Sequence, residues 1–164
     1  ELGPIALNVD CDILNADGGT RCASITAANL ALRLGVRRLI ASGVCLPQTM
    51  RPTEEQRRSG WSAPVLSKED QMEHEMRVMP NDVAAISVGL IDGQAYLDLD
   101  YNLDSNADVD MNVVKVSSGA FVEVQGTGEE STYQRDELDA LLDMADIGFS
   151  SLFEMQKSIL SGQE

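Results

Sequence analysis

The sequence predicts an α+β fold in which helices cover a mixed β-sheet, and three observations support it. Several short apolar or alternating runs have the length and spacing of strands. Two longer stretches repeat apolar residues with helical spacing. The order is strand, helix, a polar stretch, four strands and a helix, without an internal repeat. With 164 residues, of which 43% are apolar, the chain can form a single domain over residues 1–164.

The first two elements lie before residue 41. Residues 5–14 alternate apolar and polar side chains, which predicts a strand with one buried face. Residues 21–39 carry alanines, leucines and isoleucines on nearly every side, so we expect a helix buried on most of its surface.

Residues 42–81 differ in character from both flanking regions. The stretch is polar and is interrupted by four prolines, Pro47, Pro52, Pro64 and Pro80. It is too long for an ordinary connection between two elements. We interpret it as an insertion within the domain, with a short helix near residues 68–77.

The remaining elements are four strands and a closing helix. The dipeptide Asp92-Gly93 is a strong hairpin signal, and Ser117-Ser118-Gly119 predicts a second hairpin. Apolar side chains then recur with helical spacing to the end of the chain. The predicted ranges are 83–91, 95–101, 111–116 and 120–125 for the strands and 135–160 for the helix.

Net charge, cysteine content and hydrophobicity narrow the classes of protein to which this chain can belong. The net charge is −15, and residues 82–164 carry 17 Asp/Glu against 3 Lys/Arg, a balance that repels nucleic acid. Three cysteines without a CxxC pair favour a reduced, cytoplasmic protein. No apolar run reaches the length of about 18 residues that a membrane span needs, and we expect neither a span nor a signal peptide.

The most informative motif is the turn Asp17-Gly18-Gly19-Thr20-Arg21, placed between the predicted first strand and first helix. Two glycines permit a tight turn and a close approach of a ligand to the backbone. A helix that begins there directs N–H groups and a partial positive charge at a bound anion. Thr20 and Arg21 can both bond phosphate oxygens. A purely structural turn is the alternative, and the motif is not a Walker loop.

A second motif is the acidic segment from Asp98 to Asp110. Its opening resembles an EF-hand, but Leu103 stands where the turn glycine is needed and Val109 where the bidentate Glu is needed. Carboxylates crowded at a strand end repel each other unless they share a cation or a proton. The carboxylates of Asp104, Asp108 and Asp110 therefore predict a Mg²⁺ site, with a solvated acidic loop as the alternative.

The histidine content argues against two kinds of catalytic site. His74 is the only histidine of the chain, so an HExxH zinc site cannot form. A Ser-His-Asp triad would have to use this residue in the middle of the inserted stretch.

Taken together, the motifs resemble the ribonuclease PH family. The resemblance rests on ordered blocks with consistent spacing over most of residues 5–41 and 83–160. These blocks are Asp10–Thr26, Val83–Gly89, Asp98–Tyr101 with Asp104–Ser105, Asp110–Val114, Glu123–Thr127 and Gln156–Lys157.

The resemblance implies a fold like that of ribosomal protein S5 domain 2, and a phosphate-dependent 3′→5′ exoribonuclease that trims the 3′ ends of tRNA precursors. It implies that Gly19, Thr20 and Arg21 bind the phosphate co-substrate. It also implies that Asp104 and Asp110 are the catalytic aspartates and hold Mg²⁺. A hexamer built as a trimer of dimers is the implied assembly.

Three departures from the family pattern accompany the resemblance. The first half of the family fold is expected before Glu1 and is not in this sequence, so we expect the isolated segment either to be inactive or to need a companion N-terminal fragment. Leu103 replaces the usual Glu, and residues 42–81 replace a short connection. The alternatives are a non-catalytic subunit of an exosome-like ring and an acidic metal-binding module.

Overall fold

The computed structural model describes residues 2–128 and 131–162, which divide into two compact units. Unit 1 consists of the described residues of Glu1–Val9 and Ala31–Asn81, and unit 2 of those of Asp10–Leu30 and Asp82–Glu164. The helices are α1 (Thr20–Ala41), α2 (Glu54–Arg58), α3 (Lys68–Val78), α4 (Tyr101–Asp104) and α5 (Arg135–Ser161). The strands are β1 (Val83–Ile91), β2 (Gln94–Leu97), β3 (Val109–Val116) and β4 (Phe121–Gly128). In the described part of the chain, no helix is long and apolar enough to cross a lipid bilayer.

Unit 2 is organised around one antiparallel sheet with the strand order β2-β1-β3-β4. Tight turns join β1 to β2 and β3 to β4, and strands joined in this way pair antiparallel. In the central strand β1, residues 84–90 are all buried, as expected for a strand covered on both faces.

Helix α5 packs on one face of this sheet. The apolar side chains of β1, β3 and α5 form the main core cluster of unit 2: Ala84, Ile86, Val88, Leu90, Val109, Met111, Val113, Leu141, Ala145 and Phe149. Gly148 lies at the closest approach, where an added Cβ would run into the side chains of Ile86 and Leu97. Lys115 is buried on the same face, where its Nζ lies 2.5 Å from Asp146 and over the Phe121 ring.

The first turns of α1 cover the opposite face of the sheet. Cys22 packs with Ala85 and Val114 in a smaller core cluster. Thr26 Oγ1 donates to the Ala85 carbonyl at 3.2 Å and accepts from the Ala85 N–H at 3.0 Å, which pins the helix to β1.

Unit 1 has its own core, formed by Val36, Ile40, Cys45, Leu46 and Leu66, with Trp61 packed against it. A buried ion network stands beside this core. Glu75 accepts from Arg33 Nη1 at 3.0 Å and from Arg37 Nε at 2.8 Å. The helix predicted near residues 68–77 is confirmed as α3.

The α+β class and most of the predicted elements are confirmed, with three differences. Residues 5–14, all of which the structure describes, form no strand because no neighbouring strand pairs with them, and Leu14 is 97% exposed. The second strand ends at Leu97 rather than at residue 101 because Asp98 takes a positive φ of 54° and Asp100 caps α4. The described sheet is antiparallel throughout rather than mixed.

Candidate functional site

The glycine turn of unit 2 lies directly against the segment that carries the acidic motif. The Asp17 carboxylate accepts a hydrogen bond from the Tyr101 N–H at 3.0 Å. Gly18 has a φ of +67°, and a side chain there would run into the carbonyl oxygen of Leu99. Both facts require glycine at this position, because only glycine adopts this conformation without cost and leaves room for the facing backbone.

Gly19 places the turn over the middle of β1. Its φ is +54°, and a Cβ at this position would lie 3.2 Å from Ser87 Oγ and 4.0 Å from an Asp98 carboxylate oxygen. Helix α1 begins at the next residue, Thr20, and has no acidic residue in its first turn. An anion near Thr20 would therefore meet unpaired N–H groups without local carboxylate repulsion from the helix itself.

Arg21 extends from this first turn toward β4. Its Nη2 donates to Glu123 Oε2 at 3.0 Å, and the two side chains are 47% and 39% exposed. The hydrogen bond to Glu123 is the main cause that raises the pKa of the Arg21 guanidinium. Arg21 is thus charged, accessible and held in one orientation by a carboxylate.

The sheet face beneath α1 is polar at this end. Residues opposite each other across β1, β3 and β4 form two rows, Gly89–Asp110–Thr127 and Ser87–Asn112–Gln125. Alternate residues of a strand share a face, so Asp110 and Asn112 point to the same side. The Cys22 thiol donates to Asn112 Oδ1 at 2.8 Å, which identifies that side as the one covered by α1.

The shift in the pKa of the Cys22 thiol shows which charged side chains act on it. Burial raises this pKa to about 11, the charge of Arg21 opposes the increase, and the carboxylates of Asp110, Asp98 and Glu123 add to it. These four charged side chains therefore lie close enough to act on one buried thiol, although they come from four separate parts of the sequence.

The acidic segment divides into carboxylates with local structural contacts and the two predicted catalytic aspartates. Asp100 accepts from the Leu103 N–H at 2.9 Å as the N-cap of α4, and Asp108 Oδ2 accepts from the Asp92 N–H at 3.0 Å. Asp104 is the last residue of α4, and Asp110 lies on β3. Both are half-buried.

The two aspartates do not belong to a closed metal site, but their carboxylates are of the type that Mg²⁺ binds. In the described part of the chain, no three His, Cys, Asp or Glu side chains converge on one point. Mg²⁺ does not need such a set, because it commonly takes one or two carboxylates and completes its shell with water and phosphate oxygens. The carboxylates of Asp98, Asp110 and Glu123 all act on the Cys22 thiol, against the single positive charge of Arg21, and an added cation would offset this excess of negative charge.

Ser87 is the site residue that sequence analysis missed most clearly. It is only 2% exposed, and its Oγ has no hydrogen-bond partner among the described residues. A buried hydroxyl without a partner is unfavourable unless a ligand or water satisfies it. Asn112 and Cys22 were missed as well, because the contact between α1 and β3, and not a pattern within either element, brings them together. A serine inside the apolar strand 83–91 was the available signal.

The lone histidine lies outside this constellation. His74 belongs to unit 1, is buried, and places Nε2 at 3.6 Å from Cys45 Sγ. Among the described residues, His74 belongs to no group of three His, Cys, Asp or Glu side chains that could hold a metal ion.

Comparisons with known proteins agree with the motif resemblance. Residues 82–148 match the family described as "3' exoribonuclease family, domain 2". The chain is 43% identical over 160 residues to ribonuclease PH of Corynebacterium efficiens, covering 98% of this chain and 54% of the relative. It is also 43% identical over 159 residues to ribonuclease PH of Rhodopirellula baltica, covering 97% of this chain and 55% of that relative.

The fold itself resembles a solved structure, rice (Oryza sativa) Rrp46. The TM-score is 0.56 at 12% identity, over 90% of this chain and 51% of the rice chain. These matches confirm the predicted resemblance to ribonuclease PH and the corresponding α+β fold. The chain spans about half the length of the curated relatives that it matches.

Proposed function

We propose that this chain, which resembles ribonuclease PH, contributes the phosphate- and metal-binding site of a phosphorolytic 3′→5′ exoribonuclease. Inorganic phosphate attacks the 3′-terminal phosphodiester of RNA, a new P–O bond forms, and the bond to the 3′ oxygen of the preceding nucleotide breaks. That oxygen takes up a proton, and a nucleoside diphosphate leaves.

The contact between the glycine turn and residues 98–101 carries this proposal. It places Gly19, Thr20 and Arg21 beside the segment that leads into Asp104. The α1 N-terminus and the Arg21 guanidinium are suited to hold a phosphate, since a guanidinium fork binds two oxygens at once. Fixing the attacking phosphate in this way supplies the positioning on which phosphoryl transfer depends.

Asp104 and Asp110 would hold Mg²⁺, which when bound neutralises charge on the phosphoryl oxygens. The buried hydroxyl of Ser87 is placed to donate to an oxygen that approaches Gly19. Because this hydroxyl is buried, it is a hydrogen-bond donor already in position before the reaction begins. Donors in fixed positions stabilise developing charge better than mobile water does.

The substrate and assembly belong to the same proposal. We assign the enzyme to the trimming of tRNA precursors in the cytoplasm, within a hexamer arranged as a trimer of dimers. The acidic balance of this chain requires positive charge from elsewhere to attract RNA. A companion N-terminal fragment is the proposed source, and the relatives are about twice as long as the segment matched here.

A non-catalytic ring subunit and an acidic metal-binding module are less well supported. Arg21, Asp104 and Asp110 are all present and a buried, unpartnered hydroxyl stands beside Gly19, which a scaffold would not require. The test is phosphorolysis of a tRNA with a short 3′ extension by the intact protein, with and without phosphate. Phosphate-dependent release of nucleoside diphosphates is expected. Metal binding that is indifferent to phosphate, with no product, would contradict the proposal.

A further inference from the structure

Unit 1 contains a cavity that is independent of the proposed reaction site. Its volume is about 270 Å³, and it is lined by Pro47, Gln48, Thr49, Arg51, His74 and Arg77. Three of these six side chains are basic, and none is acidic. The six come from the single 3₁₀ turn Gln48–Met50, its flanking residues and α3.

Arg51 is fixed at the edge of this cavity. Its Nε donates to the Leu46 carbonyl at 2.9 Å. The guanidinium also packs against the backbone of Gly3, where an added Cβ would lie 2.9 Å from Arg51 Cζ. An arginine held in this way loses little conformational freedom when it binds an anion.

His74 and Arg77 come from adjacent turns of α3. Residues three apart lie side by side on a helix, so both side chains can serve the same cavity. Arg77 Nη2 lies 2.6 Å from Glu73, its neighbour on the helix, and the arginine remains 67% exposed. His74 forms the buried wall, next to Cys45.

The local field favours an anion. Burial lowers the pKa of His74, and the positive charges of Arg51 and Arg77 lower it further. The described residues of unit 1 carry 8 Lys/Arg against 6 Asp/Glu, whereas those of unit 2 carry 4 against 17. Glu75, the one buried acid among the described residues of unit 1, is already bound by Arg33 and Arg37.

We propose that this cavity is a binding site for a phosphate oxyanion, with Arg51 and Arg77 as its charged partners and Gln48 and Thr49 as polar ones. Guanidinium forks match phosphate oxygens in geometry and charge. The volume is near the lower end of ligand pockets, which suits a mononucleotide or free inorganic phosphate. The cavity would thus be a second phosphate-binding site, formed by the inserted residues 42–81, which are not part of the proposed reaction site.

The single histidine makes the test specific to this cavity. We would follow the His74 imidazole resonance of the 164-residue chain by NMR, at fixed pH and ionic strength. The separate titrants are inorganic phosphate, AMP, adenosine and sodium chloride. A saturable shift with phosphate and AMP, absent with adenosine and chloride, is expected. Tighter binding of AMP would identify a mononucleotide as the ligand, and equal binding would identify the phosphate group alone.

Two variants, each at the arginine of an ion pair on an exposed helix face, provide a matched comparison. Arg77 pairs with Glu73, and Arg58 pairs with Glu54, each at a spacing of four residues on an exposed helix face. Arg77→Gln should weaken phosphate binding about tenfold, because it removes one charge-assisted hydrogen bond, and Arg58→Gln should leave it unchanged. No saturable shift, or equal effects of the two variants, would overturn the proposal.

Arg21→Gln separates this inference from the proposed reaction. It should leave the His74 response unchanged even if it abolishes phosphorolysis. A loss of the His74 response in Arg21→Gln would place the bound phosphate in unit 2 and overturn the cavity site. A chain without phosphorolytic activity that still shows the Arg77-dependent shift would support the cavity and contradict only the reaction.

Discussion

Nη2 of Arg21 lies 3.0 Å from Oε2 of Glu123, although 102 residues separate the two in the sequence. The pair links the first turn of α1 to β4 across the open end of the sheet. It also means that the arginine proposed to bind phosphate already has a carboxylate partner. A phosphate that reaches Arg21 must share the guanidinium with Glu123 or displace it.

Replacing Glu123 with Gln should therefore strengthen phosphate binding. The competing charge disappears while the size of the side chain is kept, and an exposed ion pair of this kind is worth about 0.2–1 kcal/mol. We expect the KM for phosphate in the phosphorolysis assay to fall by up to about fivefold. Arg21→Gln should raise the same KM, and a higher KM in Glu123→Gln would show that Glu123 supports the bound phosphate rather than competing with it.

Asp110→Asn tests the proposed catalytic carboxylate. In the intact protein it should abolish phosphate-dependent release of nucleoside diphosphates, because the amide loses the charge that would hold Mg²⁺ while the strand pairing of β3 is kept. Asp143→Asn, on the exposed surface of α5, is the matched control and should turn over normally. Normal turnover in Asp110→Asn would remove this residue from the catalytic assignment.

The glycine turn should be sensitive to a single methyl group. Gly18→Ala combines a positive φ with a direct overlap on the Leu99 carbonyl. We expect a loss of about 1–3 kcal/mol in the free energy of unfolding of unit 2, since strained backbone conformations cost this much. Chemical denaturation monitored by circular dichroism measures it. Gly93→Ala has the same sign of φ but open space around it, so the difference between the variants isolates the overlap.

The cysteines should differ in reactivity. Cys11 is exposed and Cys22 is buried, and the pKa of Cys22 is raised to about 11. The thiolate is the reactive form, so iodoacetamide at pH 8 should label Cys11 much faster than Cys22. Mass spectrometry of timed digests gives the two rates, and equal rates would contradict the buried hydrogen bond to Asn112.

The same pKa predicts a pH dependence of stability. Between about pH 9 and 11 the unfolded chain loses the Cys22 proton while the folded chain keeps it. This contribution to stability is complete below pH 9 and is lost as the pH rises to 11. Denaturation of Cys22→Ala should show a correspondingly smaller decrease over that range.

Unit 1 should depend strongly on Glu75. Glu75→Ala leaves the buried Arg33 without this carboxylate, and breaking a buried ion pair from one side costs about 3–5 kcal/mol. Trp61 is the only tryptophan and packs on the core of unit 1, so its fluorescence reports the unfolding of this unit. Glu54→Ala removes an exposed pair and should change the midpoint by little. Similar midpoints for the two variants would contradict a stabilising role of the buried network.

The sequence predicted the elements whose patterns are local. The apolar run 83–91 and the turn Asp92-Gly93 identified β1 and the turn after it to the residue, and helical spacing identified α5. The predicted strand over residues 5–14 was wrong because alternation describes only one strand, and a sheet also needs a neighbour to pair with. The irregular end of β2 was missed because it depends on the positive φ of Asp98.

The sequence predicted only those parts of the site whose chemistry belongs to residues within a recognisable motif. The turn 17–21 and the aspartates 104 and 110 were found as motifs, and their roles stay predictions. Ser87, Asn112 and Cys22 were not found, because their importance comes from register across three elements. Ser87 belongs to the candidate site because it lies under Gly19 in the fold. The spacing of residues within one strand does not predict such a contact between two elements.

The glycine of α5 has a consequence for how this protein can evolve. At Gly148 the helix backbone faces the sheet without a side chain between them, and the side chains of Ile86 and Leu97 fill the space that any other residue would need. A larger residue there would act as a wedge under the middle of a 27-residue helix and lift both of its ends. The atoms in the way are the Cδ1 ends of both side chains, so a larger residue at Gly148 becomes easier to accept once Ile86 or Leu97 is shortened, and the accessible mutational path runs through those two positions first.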